Sequence, residues 1–424
     1  MKHKAEIFDQ LQYLYKETGF NDHYLHCEIS FHKAIELPRF KKAIWLLFQA
    51  IPILTYAYIS NHGKSYWKKV SDINIKDILF VTKKENEYKY FLYSTLSEQE
   101  APQMKICYLQ SNEPKITFLM NHMVCDASGF KEVLYLLCAC YNDFAFVQKN
   151  MCKIRMHGDR GLSKIIQSLS LKEKMKVLLF DNKENNAENQ ITFPLSYDEP
   201  VEPYIFRKTL SKEQSKAILA YAKNENVTVN DIILAAYYRV ISDILDNRGE
   251  ELVIPIMIDM RKYQVEQPEK SLANYASTVL TKLKVSRDET FWETVSKVNA
   301  QMEQKKNQYM GMNVFVKSAL LFNILGQKCS YALLKKVLHN PKICMTNIGI
   351  LDHKKLKLEG IDIFAAWMCG SIKYRPHIQL AVSTFGEQFT FTSNLYSSKK
   401  NANEINDMLT RMEKELLHLQ DVCR

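Results

Sequence analysis

The sequence lacks an apolar run long enough to cross a membrane. Its best candidate, Ala43–Ile59, is interrupted by Gln49 and Pro52, whereas a spanning helix needs about 20 consecutive, mostly apolar residues. We interpret the run as a buried helix that ends near Gln49, followed by a core strand. The stretch MKHKAEIFDQLQYLYKE at the start is charged throughout and has no apolar segment of the kind found in secretory signals. We therefore expect a cytoplasmic protein, with a peripheral membrane contact as the less favoured alternative.

The ten cysteines include no Cys-x-x-Cys pair, so the spacing typical of zinc sites and redox motifs is missing. We expect free, mostly buried thiols in a reducing compartment, and the sequence predicts neither a metal site nor a tightly bound cofactor. Nucleic-acid-binding motifs are absent too, and the basic residues form no long block. The formal net charge of +10 suits an anionic lipid, a phosphorylated cofactor or an acidic protein, and does not choose among them.

Length and patterning predict two lobes of mixed helix and strand. At roughly 100–200 residues per domain, 424 residues suggest two domains or one two-lobed body. The polar segment DNKENNAENQ, Asp181–Gln190, contains nothing that could anchor a core and lies close to the middle of the chain. We predict an N-terminal lobe over residues 1–180, a linker over 181–200 and a C-terminal lobe over 201–424, each lobe an α/β unit with a mixed sheet.

Hydrophobic periodicity places elements inside these lobes. The clearest helix follows Thr228, a predicted N-cap with Asp231 in the capping-box position. Two alternating runs flank Gly386-Glu387, as in a hairpin. In the first half, alternating patterns predict strands at His23–Phe31, Ile78–Val81, Tyr88–Tyr93, Met104–Leu109 and Lys115–Met120.

One connection between a strand and a helix stands out, TFLMNHMVCDASGF at Thr117–Phe130. His122 ends a predicted strand, Asp126 follows four residues later, and a helix with a regular apolar face begins near Gly129. Such connections often carry function because their side chains reach a cleft, and histidine titrates near neutral pH. The spacing alone fits a histidine that merely fills the end of a strand at least as well as it fits a functional histidine.

The segment NHMVCDASG resembles the HHxxxDG signature of the CoA-dependent acyltransferase superfamily. That family includes chloramphenicol acetyltransferase, nonribosomal peptide condensation domains and stand-alone alcohol acetyltransferase-like members. Further segments resemble other parts of the family in the same order, over roughly residues 20–400. They are LPRFKKAIWLLFQAIPIL for the first helix and strand, NVTVNDIILAAYYRVI for the helix that opens the second lobe, IPIMIDMRKY for an Asp-x-Arg strand end, LANYAST, and MTNIG.

The resemblance implies two chloramphenicol acetyltransferase-like lobes with an active-site tunnel at their interface. His122 would be the catalytic base, and Asp126 a structural aspartate in a salt bridge with Arg261. The resemblance and position near strand ends suggest further site residues, although Asn274 also fits a simple loop cap and His377 a satisfied strand-end histidine. The supporting candidates are Asp259, Gly129 and Asn274, and the oxyanion or substrate-lining candidates are Asn347, Ser393 and His377.

Two positions depart from the family pattern. Asn121 replaces the first histidine, as in stand-alone members, and Ala127 replaces the glycine of Asp-Gly. If the backbone at Ala127 needs a positive φ, alanine costs about 1 kcal/mol or more, and we expect Gly129 to take up the strain. An Asp-Phe-Gly-Trp-Gly segment is missing from the sequence, so the plant branch of the family fits poorly.

The resulting hypothesis is a stand-alone, monomeric acyltransferase. It would move an acyl group from a pantetheine thioester, carried as co-substrate by coenzyme A or by an acyl or peptidyl carrier protein, to a small alcohol or amine. Two alternatives stay open. One is a condensation enzyme that forms an amide between carrier-bound substrates, and the other is a non-catalytic binding module with the same fold.

Overall fold

The computed structural model describes residues 2–61, 64–167, 169–179, 191–197, 199–264, 271–306, 309–337 and 340–422. The predicted linker residues 181–190 lie outside these ranges. Of the remaining predicted linker, Phe193 and Leu195 are buried in the core of the second lobe.

Strands and helices alternate along the first part of the chain. The strands are β1 (Lys2–Lys4), β2 (Tyr24–Phe31), β3 (Tyr56–Ile59), β4 (Tyr66–Lys69), β5 (Leu79–Thr82), β6 (Met104–Leu109) and β7 (Lys115–Asn121). The helices are α1 (Ile7–Glu17), α2 (Leu37–Ala50), α3 (Ile75–Ile78), α4 (Glu85–Leu92), α5 (Ala127–Asn142), α6 (Phe144–Lys149), α7 (Met151–Ile154), α8 (Ser163–Ile166) and α9 (Leu171–Leu179).

The second part of the chain has longer strands and helices. The strands are β8 (Glu202–Thr209), β9 (Glu251–Asp259), β10 (Ala276–Lys284), β11 (Ile343–Leu351), β12 (Ile363–Cys369), β13 (Ile378–Phe385) and β14 (Gln388–Ser397). The helices are α10 (Lys212–Asn224), α11 (Val229–Ile244), α12 (Phe291–Lys306), α13 (Met312–Val337), which is kinked at Gly326, and α14 (Lys399–Val422). Within the described ranges, none of the helices combines the length and apolarity needed to cross a bilayer.

The first sheet has the strand order β12-β2-β7-β6-β5. β5 and β6 run parallel and the other neighbours antiparallel, so the sheet is mixed, as predicted. Helices α2 and α5 pack on one face of it through apolar side chains such as Phe40, Ile44, Phe130 and Leu134. A separate small sheet has the order β1-β4-β3.

The second sheet has the strand order β10-β9-β11-β13-β14-β8. It is also mixed, because β11 runs parallel to both β9 and β13. Helices α10, α11, α12 and α14 bury apolar side chains against it. Helix α11 begins as predicted, since Thr228 and Asp231 each accept the backbone N–H of the other with a side-chain oxygen. This reciprocal capping satisfies two amide groups that the first turn leaves unpaired.

Strand β12 comes from the second half of the chain but pairs antiparallel with β2 of the first sheet. Trp367 lies opposite Glu28, and its indole N–H donates to the Glu28 carboxylate at 3.0 Å. Leu351 and Leu356, which precede β12 in the chain, are also buried in the first core. The structure therefore differs from the prediction that residues 201–424 form a lobe by themselves. An alternating pattern predicts that a segment is a strand, but it does not identify the strand with which that segment pairs.

The strand predicted over Tyr88–Tyr93 is wrong, because helix α4 occupies that segment. Tyr88 and Leu92 are buried on one side of α4, whereas Tyr90 is exposed. Over so short a stretch, the aromatic residues fit both the two-residue period of a strand and the 3.6-residue period of a helix. A tertiary contact favours the helix here, since the Tyr88 hydroxyl donates to the buried Glu28 carboxylate at 3.0 Å.

We predict that residues 1–180 do not fold stably when produced alone. The first sheet would lose its edge strand β12, and the first core would lose the buried side chains of Leu351, Leu356 and Met368. Soluble yield and a thermal melt followed by near-ultraviolet circular dichroism check this, with co-expression of residues 181–424 as the control that restores folding. A cooperative melt of residues 1–180 at the midpoint of the full chain would show that the crossover is dispensable.

Candidate active site

Residues of both sheets line a cavity of about 150 Å³. The first part of the chain contributes one face of α1, the end of β7 and the start of α5. The second part contributes β9, β10, β11, β13 and the segment after β12. The polar lining includes Gln12, Asn21, His122, Asp126, Ser277, Thr278, Thr346, Ser371, Lys373 and Gln379. The cavity therefore lies between the lobes, where the resemblance implies a tunnel.

The backbone holds His122 directly after β7. The His122 amide N–H donates to the carbonyl of His23 at 2.9 Å, which ties the end of β7 to the start of β2. The preceding Asn121 side chain is buried, accepts the Met123 amide N–H at 2.9 Å and donates to Gln103 Oε1 at 2.6 Å. Asn121, at the position of the family's first histidine, thus closes the turn that presents His122.

Asn274 determines which nitrogen of the His122 ring carries the proton. The Asn274 amide nitrogen Nδ2 donates to the backbone carbonyls of His122 at 2.7 Å and Met123 at 3.2 Å, and carbonyls can only accept. The other amide atom, Oδ1, is therefore the one that lies 3.1 Å from His122 Nδ1. Since Oδ1 also only accepts, Nδ1 must donate. The remaining nitrogen, Nε2, keeps its lone pair, and no group in the described ranges forms a hydrogen bond with it.

Burial lowers the pKa of His122 below its usual value. The positive charge of Lys373 lowers it as well, while the charge of Asp126 and the hydrogen bonds of the ring raise it without reversing the shift. The ring is consequently neutral at pH 7, which is the state in which an imidazole can accept a proton.

Asp126 joins the two lobes through one buried carboxylate. It is the N-cap of α5, where Oδ1 accepts the Gly129 amide N–H at 2.9 Å. Oδ2 accepts the Tyr275 amide N–H at 2.6 Å and the Arg261 guanidinium at 2.8 Å, both from the second lobe. Burial opposes ionisation, but the Arg261 charge and these hydrogen bonds hold the pKa of Asp126 below its usual value. The carboxylate is therefore ionised and faces a guanidinium, the pairing that the resemblance implies.

Arg261 and Asp259 extend this contact. The Arg261 guanidinium also donates to the Ala273 carbonyl at 2.9 Å and to Asp259 Oδ1 at 3.1 Å. Asp259 in turn accepts the Ser128 hydroxyl at 2.7 Å. The polar side chains of Asp126 and Ser128, at the start of α5, are thereby bound to the end of β9, Asp126 through Arg261 and Ser128 directly through Asp259. Arg261 and Asp259 therefore take part in the contact between the two lobes, beside the cavity.

Ala127 is the first residue of α5 and has no positive φ, so the condition under which alanine would be strained at this position is not met. Gly129 needs its missing side chain for a different reason. A Cβ atom there would lie 2.7 Å from the Cys125 Cβ and 3.0 Å from the Leu272 Cδ1. Close packing against Cys125 of the same turn and Leu272 of the second lobe, and not a positive φ, requires glycine at position 129.

Two of the predicted oxyanion candidates do not line the cavity. Asn347 is exposed, and its amide oxygen accepts the Gly349 N–H at 2.8 Å across an irregularity in β11. Ser393 is buried on the same face of β14 as Phe391 and Leu395, which belong to the second core. Their positions near strand ends suggested that both residues lie near the site. Such a position does not determine on which face of the sheet a side chain lies.

His377 lies behind the cavity wall and not in it. Its Nδ1 donates to the carbonyl of Pro341 at 3.1 Å, and its ring packs edge-on against Phe20, with 5.0 Å between the ring centres. Pro341 and Phe20 are themselves lining residues. His377 is thus the satisfied strand-end histidine that the sequence left as its alternative.

Sequence reasoning missed the polar residues that follow β12. Ser371 and Lys373 are both buried and line the cavity, as does Gln379 on β13. A signal was present in the sequence, since the apolar run IFAAWMC is followed at once by the polar pattern Gly-Ser-Ile-Lys. The same logic that singled out His122 at the end of β7 applies at the end of β12.

The fold is that of two-lobe condensation and acetyltransferase domains. The structure of trichothecene 15-O-acetyltransferase from Fusarium sporotrichioides matches 99% of this chain and 95% of its own, with a TM-score of 0.72 at 11% identity. The first condensation domain of the calcium-dependent antibiotic synthetase matches 99% and 97%, with a TM-score of 0.71 at 10% identity. Polyketide synthase associated protein 5 from Mycobacterium tuberculosis matches 98% and 97%, with a TM-score of 0.66 at 13% identity.

Residues 272–420 match the family model described as the WS/DGAT C-terminal domain. This range includes Asn274 and Lys373 but not His122. No curated protein matches the sequence. The C-terminal part is thus similar to the WS/DGAT C-terminal domain, and the whole chain has the two-lobed fold of condensation and acetyltransferase domains, as the sequence resemblance predicted.

Asp126→Asn should lower the free energy of unfolding by about 3–5 kcal/mol, the range for breaking one side of a buried ion pair. In the variant, an NH2 group replaces one carboxylate oxygen of Asp126. This group is a donor, and it would face the N–H donors that the oxygen accepts in the wild type. Urea unfolding measures the change. The control is Asp243→Asn, which breaks a more exposed pair with Arg248 and should cost about 1 kcal/mol or less. Equal losses in the two variants would contradict the structural role of Asp126.

Gly129→Ala should destabilise the protein by about 1–3 kcal/mol, because the added methyl overfills the contact between Cys125 and Leu272. Ala127→Gly, which restores the family's Asp-Gly, should relieve no strain and therefore bring no gain in stability. The measurement is the unfolding midpoint in urea for both variants. A stabilised Ala127→Gly protein would show that the turn is strained after all.

Proposed function

We propose that this protein transfers an acyl group from a pantetheine thioester to the hydroxyl or amine of a small acceptor, with His122 as the general base. The observation that carries the proposal is the neutral His122 ring, whose Nδ1 is engaged by Asn274 and whose Nε2 is free at a cavity shared by both lobes. The WS/DGAT match and the fold shared with an acetyltransferase support the same class of reaction.

In the proposed reaction, Nε2 takes the proton of the acceptor as the acceptor attacks the thioester carbonyl. The imidazolium that forms keeps its Nδ1–H on Asn274 Oδ1, so the ring does not turn between proton uptake and release. The proton then passes to the departing thiolate, and the products are an ester or amide and a free thiol. Holding both substrates in line supplies a further part of the rate.

The negative charge that develops on the carbonyl oxygen needs a donor. Ser371 is our candidate, because its hydroxyl is buried, its residue lines the cavity, and within the described ranges it has no hydrogen-bond partner. It takes the place of Asn347 and Ser393, which do not line the cavity.

Acyl-CoA and an acyl carrier protein both present a pantetheine thioester, and the net charge of +10 suits both. The structural relatives include condensation domains and an acetyltransferase. Mass spectrometry of products from mixed acyl-CoAs and cell extract would identify the acceptor. Capture by an immobilised, loaded carrier protein would identify the donor.

His122→Ala should leave a folded protein and reduce kcat/KM for acyl transfer by roughly 10²–10⁴-fold, the usual contribution of general-base catalysis. Residual transfer should persist, because positioning and oxyanion donors are unchanged. The matched control is His353→Ala at an exposed histidine, which should transfer acyl groups at the wild-type rate. Thermal melts establish that all three proteins are folded. Equal thioester cleavage by wild type and His122→Ala would move the function to a non-catalytic binding module.

The pH profile tests the same assignment. Since burial lowers the pKa of His122 from 6.5, the neutral, proton-accepting ring persists to a lower pH than in an ordinary histidine. The wild-type kcat/KM should therefore rise with pH along a limb below pH 6.5 and be level near pH 7. The limb should vanish in His122→Ala. A limb centred above pH 7 would contradict the neutral state derived for the ring.

A further inference from the structure

Lys373 brings an ammonium group into the cavity that holds His122. The residue is only 3% exposed and lines the cavity. Its backbone is fixed by the second sheet, because its N–H donates to the Asn394 carbonyl at 3.0 Å and its carbonyl accepts the Tyr396 N–H at 2.9 Å. The main chain therefore sets the position of Lys373, and its side chain is not placed there by a partner of its own.

The ammonium has no acceptor within the described ranges. Nζ lies 3.8 Å from the centre of the Phe20 ring, a cation–π contact, and forms no hydrogen bond or ion pair with any described residue. The ionisable groups of negative charge that act on Lys373 are Cys344 and Asp22. Burial raises the pKa of the Cys344 thiol to about 11, so the thiol is uncharged at neutral pH. Asp22 Oδ1 is already occupied by the amide N–H groups of Tyr24 and Ile372, and burial raises the pKa of Asp22 to about 7.

A buried, unpaired ammonium is unfavourable, and an anion that enters the cavity would relieve the cost. Burial lowers the pKa of Lys373 to about 8, so the group is still charged at neutral pH. Lys373 and His122 line the same cavity, and the Lys373 charge lowers the pKa of His122, so an anion bound at Lys373 would share that cavity with the proposed base. Gln379 offers a second donor, because the partners recorded for its side chain are sulfur atoms, which accept weakly: that of Met257, at 3.7 Å from the amide nitrogen, and that of Cys344.

We propose that Lys373 binds a carboxylate of the substrate beside the reacting atoms and so selects a carboxylate-bearing substrate over a neutral one of the same size. The inference rests on the proposed function for what the substrate undergoes, but the anion site itself does not. The carboxylate belongs either to the acceptor or to the far end of the acyl group. The phosphates of coenzyme A are separated from the thioester by the pantetheine arm and do not supply this anion.

Equilibrium binding at pH 7 tests the site without any turnover. The probes are butyrate and 1-butanol, measured by ligand-observed nuclear magnetic resonance on the full chain. Wild type should bind butyrate roughly ten- to a hundredfold more tightly than Lys373→Met does, as expected for losing a hydrogen bond to a charged group. Binding of 1-butanol should be the same in both. Lys354→Met, at an exposed lysine, is the control and should bind both probes as wild type does.

Two outcomes would overturn the inference. One is a wild-type protein that binds 1-butanol as tightly as butyrate, a result that does not depend on any variant folding. The other is butyrate binding that is unchanged in a folded Lys373→Met protein. If the anion site is present but the wild type cleaves no thioester, the proposed function fails while the site stands.

Turnover then assigns the carboxylate to one substrate. Serine and ethanolamine form a matched pair of acceptors, and succinyl-CoA and butyryl-CoA a matched pair of donors. In one of the two pairs, wild type should favour the carboxylate-bearing member by tenfold or more in kcat/KM, and Lys373→Met should lose that preference. An equal loss for both members of each pair would instead mean that Lys373 stabilises the oxyanion, and would overturn the proposed selectivity.

Discussion

The buried carboxylate of Asp126 is the group on which the rest of the site depends. A carboxylate removed from water is unfavourable unless its oxygens are paired and hydrogen-bonded. Here one oxygen caps α5, and the other is bound by a backbone amide and a guanidinium of the second lobe. The same group therefore begins a helix in one lobe and holds the other lobe against it. The turn that carries His122 lies between β7 and this helix, so its position is set only when both lobes are in place.

Two residues of the opposite lobe likewise act on the protonation of His122. Asn274 accepts from Nδ1 while it donates to the main chain of the His122 turn, so one amide both binds the turn and selects the tautomer. Lys373 adds a positive charge that favours the neutral ring. The proton location on His122, a residue of the first lobe, is thus set by Asn274 of the second, and its pKa, which burial lowers most, is lowered further by Lys373. Arg261, by contrast, pairs with Asp126 and holds the start of α5 against the second lobe.

Local rules predicted the features that depend on local chemistry. The capping box at Thr228 and the hairpin at Gly386-Glu387 are in the structure as expected, because caps and tight turns are specified by a few adjacent residues. The pairing of Asp126 with Arg261 needed the family resemblance, since the two residues are far apart in sequence. Asn347 does not line the cavity because its neighbours Thr346 and Ile348 do, and successive side chains of a strand point to opposite faces. No sequence pattern specifies that β12 pairs with β2.

The crossover of β12 is what connects the fold to the chemistry of the cavity. After β12 leaves the first sheet, the Asp22 amide N–H donates to the Ile372 carbonyl at 3.1 Å and the Tyr374 N–H donates to the Phe20 carbonyl at 3.1 Å. Between these contacts, the Lys373 N–H donates to Asn394 in β14 of the second sheet. The segment is therefore bonded to both lobes within three residues, and a sliding of one lobe on the other would break bonds on one side of it. Because Lys373 sits at the centre of this segment, its distance from His122 is determined by how the two lobes pack. The same contacts that hold the lobes together therefore also hold the Lys373 charge in the cavity that His122 lines.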